Sequence, residues 1–493
     1  MAVQKTKMAV PARAGASSSS TRGRSLPTAA VTAFLVAVFA CGVAVVWRQS
    51  PSASSQVLYN VHDQERGPGT DIDGDNSYHS HQNNDKDWDF RFDADLGVGM
   101  DRCNIPRILE QDLSAETFAA KYWRMAPVII ERQLPSSAAQ RLTEKQTLLQ
   151  KFGTTDVPLA GYEAYAFRGK EKRSTLTDYL SNMSTVTAES AANTTRFAFG
   201  IDQFGVGDVY DVPRVVRDLK EGNHNDNKLN LEWHFQVAVA ESGAGLAFHW
   251  HADVFAETLH GVRRWFLYPP VRSPVFNPRA TSARWLRDQH ESSPEQRQAL
   301  QECTIRPNEA IYVPADYFHS TLSLGQAVSI TTSFAAVYRR DRYKLDNGPS
   351  DHAYMLDALE KKNFALAIHH CQQLVQFRPH NFSPVAWLGV LHTLHAKTHV
   401  EDEQAVVASL EAARKATRQC IELNPLYAPC HVWQSRQLTA LAMIYSQQDV
   451  NNGISVLLRQ EADVSRRAAA ALSSVDDDEI LDPRWQPKGM KTQ

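Results

Sequence analysis

Residues 246–253 read LAFHWHAD, and this short stretch decides how the rest of the chain is interpreted. His249, His251 and Asp253 alternate along it, and all three belong to metal-ligating residue types. In an extended strand, side chains at positions i, i+2 and i+4 point to the same face. The stretch therefore predicts a strand that offers two neighbouring ligands to one metal ion. Two pairs are possible: His249 with His251, or His251 with Asp253.

A second stretch, RPNEAIYVPADYFHSTLSL at residues 306–324, supplies a distant histidine, His319. It reads as a strand that ends in a proline, a short loop, and then a new strand that begins near His319. Short runs rich in β-branched and aromatic residues dominate residues 230–340, which predicts a barrel or two-sheet jelly roll. A third ligand from a later strand would leave open positions on an iron ion, as non-haem Fe(II) oxygenases require.

Two longer segments resemble the JmjC (jumonji C) domain family. They are FHWHADVFAETLHGVRRWFLYPP at residues 248–270 and ECTIRPNEAIYVPADYFHSTLSL at residues 302–324. The resemblance extends from roughly Cys103 to Phe334, about half of the chain. It implies an α+β fold in which N-terminal helices precede a double-stranded β-helix, a cupin-like jelly roll. It also implies an Fe(II)- and 2-oxoglutarate-dependent dioxygenase, here a protein hydroxylase.

The ligand set departs from the usual pattern of this family, which is His-x-Asp/Glu on one strand and a distal histidine. With His249 first, the distance to Gly261 nearly matches the family, and His251 stands where the family has a carboxylate. With His251 first, Asp253 restores the usual motif, but the loop to Gly261 becomes shorter. We expect His249, His251 and His319 to bind the metal, with Asp253 in place of His249 as the alternative. The third interpretation is a site that binds no catalytic metal.

The resemblance also indicates the residues that would bind 2-oxoglutarate. JmjC enzymes usually hold its distal carboxylate with a lysine, and Arg263 occupies that position here. An arginine can bind a carboxylate through two parallel hydrogen bonds. Leu246 stands where a threonine commonly helps. We expect Thr331 and Ser333, later in the barrel, to contribute polar groups.

Cysteines and sequons add further expectations. Cys103 and Cys303 both lie in segments covered by the resemblance, which implies a disulfide between them, with two buried thiols as the alternative. Sequons at Asn182, Asn193 and Asn381 are possible glycan acceptors in a secretory compartment.

The N-terminal region predicts a membrane anchor. Residues 28–47 contain no charged residue, and a helix of that length spans about 30 Å, the thickness of a bilayer core. Residues 1–27 are basic and contain no acid, which places them in the cytosol by the positive-inside rule. The sequence predicts a single-pass type II protein of the endoplasmic reticulum or another secretory-pathway membrane, with the JmjC domain in the lumen. A cleaved signal peptide is the alternative.

The remaining chain divides by composition. Residues 48–100 are rich in aspartate and are expected to form a luminal linker before a JmjC domain at 101–345. Residues 350–447 have helical periodicity and resemble tetratricopeptide repeats, and residues 448–493 are expected to form a partly disordered tail. A net charge of −3 gives no reason to expect nucleic acid binding.

Two functions follow from these features. The first is a membrane-anchored luminal oxygenase that hydroxylates a protein bound through the helical repeats. The second is a non-catalytic scaffold or adaptor that keeps the JmjC fold and uses the same repeats. The altered second ligand favours the scaffold, whereas the complete set of imidazoles and Arg263 favour the enzyme.

Overall fold

The structure is a computed structural model. It describes residues 88–133, 137–160, 172–183, 187–193, 196–221, 231–251, 253–336, 351–399, 401–447 and 452–472. The predicted anchor at 28–47 lies outside these residues. Among the helices that the structure describes, none combines the length and the apolar character needed to cross a bilayer.

Ten strands form the β-sheet part of the molecule. They are β1 (Arg107–Leu109), β2 (Val128–Glu131), β3 (Asp156–Ala160), β4 (Lys172–Thr175), β5 (Phe197–Ile201), β6 (Leu231–Ala240), β7 (Val254–Tyr268), β8 (Gln301–Ile305), β9 (Glu309–Val313) and β10 (Phe318–Ala336). Their order is β1-β2-β9-β7-β10-β6-β5-β3-β4, and β8 also pairs with β7.

Two long antiparallel strands, β7 and β10, run through both halves of the jelly roll. The first half of β7 pairs with β9, and its second half pairs with β8. Between the halves, Gly261 has a φ of +71°, and a Cβ there would lie 2.2 Å from the Gln326 carbonyl oxygen. Gly325 on β10 has a φ of +72°, next to a shift in the β7–β10 register. Only glycine accepts this geometry without strain, so these two positions let the paired strands bend where β7 changes its partner.

Nine short α-helices accompany the strands in the part of the chain that the structure describes. They are α1 (Ala115–Lys121), α2 (Ser137–Leu142), α3 (Lys145–Phe152), α4 (Leu176–Asn182), α5 (Ala188–Asn193), α6 (Val206–Val209), α7 (Arg214–Glu221), α8 (Ser282–Asp288) and α9 (Pro294–Ala299). Side-chain caps fix several of their starts: Ser114 accepts from the Thr117 amide before α1, and Thr281 accepts from the Arg284 amide before α8.

The predicted linker at 48–100 is wrong in its last part. Trp88 and Leu96 are buried, and both pack into hydrophobic clusters of the folded domain. The Asp89 carbonyl accepts a hydrogen bond from the Gln326 amide on β10. Isolated apolar residues in a polar segment do not repeat at the spacing of a helix or a strand. The packing of this segment against the folded domain could therefore not be predicted from composition.

Six α-helices lie in the described residues of the C-terminal part. They are α10 (Asp351–Glu360), α11 (Phe364–Phe377), α12 (Phe382–Ala396), α13 (Glu403–Leu423), α14 (Ala428–Ser446) and α15 (Asn452–Leu472). Consecutive helices pack against each other. The expected tail at 448–493 is therefore helical as far as Leu472, because Leu458 and Ala462 of α15 are buried in a cluster shared with α13 and α14. The assignment to tetratricopeptide repeats stays a prediction.

The helical part shares a hydrophobic core with the barrel. Phe248 and Phe318 of the barrel belong to the same buried cluster as Phe382 of α12 and Tyr427 before α14. The Asn424 side chain makes two hydrogen bonds with the Phe276 backbone, at 3.0 and 3.3 Å. Helices and barrel are thus joined by buried contacts.

Candidate metal centre

Backbone pairing brings His249 next to His319. The His249 amide donates to the His319 carbonyl at 3.1 Å, and the His319 amide donates to the His249 carbonyl at 2.8 Å. Directly paired residues of antiparallel strands place their side chains on the same face, close together. His251 follows two residues later, and its carbonyl accepts from the Asp316 amide at 3.0 Å. The loop before β10 is therefore attached to the segment that carries the first two histidines.

The three imidazoles converge on one point. One ligand atom from each lies within 4.8 Å of the other two, and the Nε2 atoms of His251 and His319 are 3.1 Å apart. Two nitrogens bound to one ion at about 2.0–2.2 Å, at angles between octahedral and tetrahedral, are about 2.8–3.6 Å apart. The spacing thus fits a shared metal ion. Metal binding itself stays a prediction.

Hydrogen bonds orient two of these rings. Nδ1 of His249 contacts the Ala247 carbonyl oxygen at 2.8 Å, and Nδ1 of His319 contacts the Tyr317 carbonyl oxygen at 2.9 Å. A carbonyl oxygen only accepts, so each Nδ1 carries the proton and each Nε2 presents its lone pair. This is the arrangement by which proteins hold a histidine ligand in place.

The same two rings are held neutral. Burial, and then the neighbouring His251 ring, lower the pKa of His249 to about 3. Burial, and then the charges on His249 and His251, hold the pKa of His319 well below its usual value. Neutral imidazoles are the form that binds a metal, so no proton has to be displaced from these rings near neutral pH.

Asp253 lies apart from this group. Its Oδ1 accepts hydrogen bonds from the Tyr312 hydroxyl at 2.6 Å and from the Ala315 amide at 3.2 Å. Its Oδ2 lies 3.5 Å from Nε of Arg124. Asp253 is 3% exposed, and its carboxylate is hydrogen-bonded to Tyr312 of β9. The ligand atoms that cluster in the site come from the three histidines.

Arg263 is a buried cation in the same barrel, and its partner Thr321 lies two residues from His319 on β10. Its guanidinium donates to the hydroxyls of Ser329 at 2.5 Å and Thr321 at 2.9 Å. Nε has no hydrogen-bond partner among the described residues, and no carboxylate of those residues pairs with this guanidinium. Burial lowers the pKa of Arg263 to about 10. A buried guanidinium of this kind lacks a counter-ion, which is what an anionic cosubstrate would supply.

The hydroxyls that contact Arg263 are not the ones that the sequence singled out for the cosubstrate pocket. Thr321 and Ser329 reach the guanidinium, and a role of Thr331 and Ser333 in cosubstrate binding stays a prediction. Thr331 and Ser333 pair with Ala256 and Val254, farther along β10, and the Ser333 hydroxyl donates to the His234 carbonyl. The strand period from His319 would have indicated Thr321. The register shift near Gly325 brings Ser329 into reach, and sequence alone does not reveal it.

Trp265 packs in the core and also contacts the histidine site. It is 6% exposed, as expected for a core residue, but its ring also stacks on His319 with centroids 6.0 Å apart. Phe266 and Tyr268 are buried in the cluster shared with the helices. Cys303 on β8 lies opposite Trp265 and forms a disulfide with Cys103. The disulfide thus fastens the N-terminal segment to the strand beside the histidine site.

The sequons differ in their accessibility. Asn182 and Asn193 are exposed, and their side-chain amides donate to helix carbonyls at Asp178 and Glu189. Asn381 is 3% exposed, and its Nδ2 donates to the Pro270 carbonyl at 2.7 Å. A glycan on that nitrogen is incompatible with this contact, because it would have to fit between α12 and the barrel.

A jelly roll with three converging histidines and a buried basic residue is the arrangement of a cupin-type oxygenase domain. Residues 223–341 match the profile of the JmjC domain. The chain is 30% identical over 233 residues to JmjC domain-containing protein 8 of Homo sapiens, a match that covers 47% of this chain and 84% of the relative. The Rattus norvegicus protein of the same name is 29% identical over 233 residues and is covered to 82%. The chain belongs to the JmjC domain family.

Two more distant similarities each cover about half of the chain. Over 275 residues the chain is 25% identical to lysine-specific demethylase JMJ21 of Arabidopsis thaliana, covering 52% of this chain and 28% of that protein. Among solved structures, the ribosomal oxygenase YcfD of Escherichia coli is 16% identical with a TM-score of 0.27, covering 51% of this chain and 56% of that one. A likeness at that TM-score carries no weight for function.

Proposed function

We propose that the chain is an Fe(II)- and 2-oxoglutarate-dependent oxygenase that hydroxylates a protein side chain. The observation that carries the proposal is the pairing of two features in one barrel. Three imidazoles converge at metal-binding distance, and Arg263 is buried in the same barrel, bonded to Thr321 two residues from His319, with no carboxylate partner among the described residues. A metal site alone fits many functions. A metal site with a buried cation for a dianionic cosubstrate fits this reaction class.

Each residue has a defined part in this proposal. His249, His251 and His319 would hold the iron on one side, which leaves positions for cosubstrate and O₂. The iron, when bound, activates O₂ as 2-oxoglutarate is converted to succinate and CO₂. Arg263 would bind the distal carboxylate of 2-oxoglutarate, and its two hydroxyl partners, Thr321 and Ser329, fix the guanidinium in place. Trp265 would keep water from the His319 side of the site by its stacked ring.

The compartment is part of the proposal. The uncharged run at 28–47 behind a basic segment supports a type II anchor and a luminal domain. Two disulfides, Cys103–Cys303 and Cys420–Cys430, support an oxidising compartment such as the endoplasmic reticulum. Exposed Asn182 and Asn193 would be accessible to glycosylation there.

The helical part would bind the protein substrate or a partner. Its core is shared with the barrel, so a protein bound on α10–α15 would be held at a fixed position relative to the histidine site. A groove lies where the two parts meet, lined by Trp250 and Phe318 from the barrel and by Trp387 and Arg378 from the helices.

A scaffold without catalysis is the second candidate, and a specific observation favours it. The usual carboxylate ligand is replaced by His251, and the nearby carboxylate of Asp253 is engaged by Tyr312 and Ala315. Three neutral ligands leave the bound metal with a higher net charge than two histidines and a carboxylate do. Such a site also suits zinc, which supports no O₂ chemistry.

A turnover assay separates the two candidates. The full chain, loaded with Fe(II) under nitrogen and then exposed to O₂, should convert 2-oxoglutarate to succinate, and His319→Ala should abolish this conversion. His369→Ala removes an exposed histidine of α11 and should have no effect. Equal succinate formation by the His319→Ala protein, or none by the iron-loaded wild type, would support the scaffold.

A further inference from the structure

A second pair of histidines lies far from the barrel site along the sequence, where α12 ends. His395 is in the last turn of α12, and His399 ends the short 3₁₀ helix Lys397–His399 that follows. Residues four apart on a helix lie on the same face, one above the other. Their Nε2 atoms are 3.2 Å apart, and their ring centroids are 4.6 Å apart. The two nitrogens therefore face each other.

This geometry matches the one found in the barrel. The Nε2 atoms of His251 and His319 are 3.1 Å apart, and those of His395 and His399 are 3.2 Å apart. Both values lie within the range of about 2.8–3.6 Å that two imidazole nitrogens adopt on one ion. Paired histidines at i and i+4 on a helix are a known way to bind a transition metal.

A neighbouring helix orients one of the two rings. Nδ1 of His395 contacts the hydroxyl oxygen of Ser409 on α13 at 3.3 Å, and Ser409 is 8% exposed. If Nδ1 donates to this hydroxyl, Nε2 of His395 presents its lone pair to His399. A histidine whose Nδ1 is held by a hydrogen bond is oriented to bind a metal through Nε2.

We propose that His395 and His399 form a second binding site for a divalent transition metal such as Zn²⁺. The chelate would join the last turn of α12 to the turn that leads into α13, and Ser409 would brace it from α13. Both histidines are partly exposed, so water or a ligand from another protein would fill the remaining positions. The site differs from the barrel site in that it has two protein ligands and is open to solvent.

Zinc titration of the full chain tests this site. Isothermal titration should show one more bound Zn²⁺ in the wild-type protein than in the variant His395→Gln/His399→Gln. Each single substitution should weaken that binding event at least about tenfold, since even the loss of an outer hydrogen bond typically costs that much. Zinc held by histidines elsewhere in the chain is common to both proteins and cancels in the comparison.

The chain offers a matched control on α11. His369 and His370 are adjacent, with ring centroids 5.4 Å apart and an interplanar angle of 69°. Neighbours at i and i+1 do not share a helix face, so they cannot chelate one ion together. The variant His369→Gln/His370→Gln should bind as many zinc ions as the wild type. The proposal would be overturned if the wild type, His395→Gln/His399→Gln and the control variant bound zinc with equal stoichiometry and affinity.

A measurement on the unaltered protein guards against misfolded variants. Diethyl pyrocarbonate modifies accessible imidazoles, and mass spectrometry locates each modified histidine. Zinc should protect both His395 and His399 in the wild-type chain and leave exposed His369 reactive. Equal modification of His395 and His399 with and without zinc would mean that they form only a hydrogen-bonded pair, and the proposal would be wrong.

Discussion

Replacement of Asp253 by alanine should damage stability far more than metal binding. The carboxylate accepts from the Tyr312 hydroxyl and the Ala315 amide and lies 3.5 Å from Nε of Arg124, all in a buried setting. Removing one partner of a buried, hydrogen-bonded charge pair costs about 3–5 kcal/mol. For a large domain, at about 2 °C per kcal/mol, this predicts a fall in Tm of about 6–10 °C. The metal stoichiometry should not change, because the three ligand atoms come from histidines.

Two further variants make this prediction specific. His249→Ala should abolish stoichiometric binding of iron or zinc at the barrel site and reduce stability less than Asp253→Ala does. Asp253→Asn keeps the shape and one acceptor oxygen, so its Tm should lie between those of the wild type and Asp253→Ala. Metal analysis by mass spectrometry and thermal unfolding by circular dichroism measure both effects. The reasoning is refuted if Asp253→Ala empties the site while His249→Ala leaves it filled, since the metal would then lie two residues farther along the strand.

Three other predictions concern acid stability, the disulfides and topology. The free energy of unfolding of the metal-free protein should fall by up to about 1.4 kcal/mol per pH unit below pH 6.5. Burial lowers the pKa of His249 to about 3, so between pH 6.5 and pH 3 only the unfolded chain binds a proton at this residue. Urea unfolding of His249→Gln should show a shallower dependence of stability on pH, and an equal dependence in both proteins would contradict this. The disulfide Cys103–Cys303 closes a separation of 200 residues, and Cys420–Cys430 closes one of 10. Chain entropy therefore predicts that replacing each pair by serine lowers the free energy of unfolding by about 5 and about 3 kcal/mol, respectively. Equal decreases in denaturant unfolding would argue against this entropic account. Protease added to intact microsomes should spare the whole chain beyond the predicted anchor, and digestion of the JmjC domain without detergent would rule out a luminal location.

The barrel was predictable because its signals are local. The described residues of 246–253 form no regular strand, because β7 begins at Val254 and His249 pairs with His319 only in an isolated bridge. The alternation nevertheless singled out His249 and His251, which converge with His319. The helical part was predictable from its 3.6-residue period. These patterns arise from backbone geometry and burial within one element, which a single sequence records.

What the sequence did not reveal depends on contacts between distant elements. Ser329 reaches Arg263 only because the β7–β10 register shifts near Gly325. Trp88 is buried although it follows a long polar run, because it docks against residues far along the chain. The engagement of Asp253 by Tyr312 likewise joins residues 59 positions apart. None of these contacts leaves a periodic trace in the sequence.

The most direct test of the central claim is the visible absorption of the Fe(II)-loaded full chain under nitrogen as 2-oxoglutarate is added. A metal-to-ligand charge-transfer band appears only when 2-oxoglutarate chelates the iron, so it reports the histidine site and the cosubstrate together. The proposed oxygenase predicts a saturable band that His319→Ala abolishes. Arg263→Gln should require at least about tenfold more 2-oxoglutarate, because a buried charge-assisted contact is lost. Stoichiometric iron without any band at saturating 2-oxoglutarate would contradict the oxygenase.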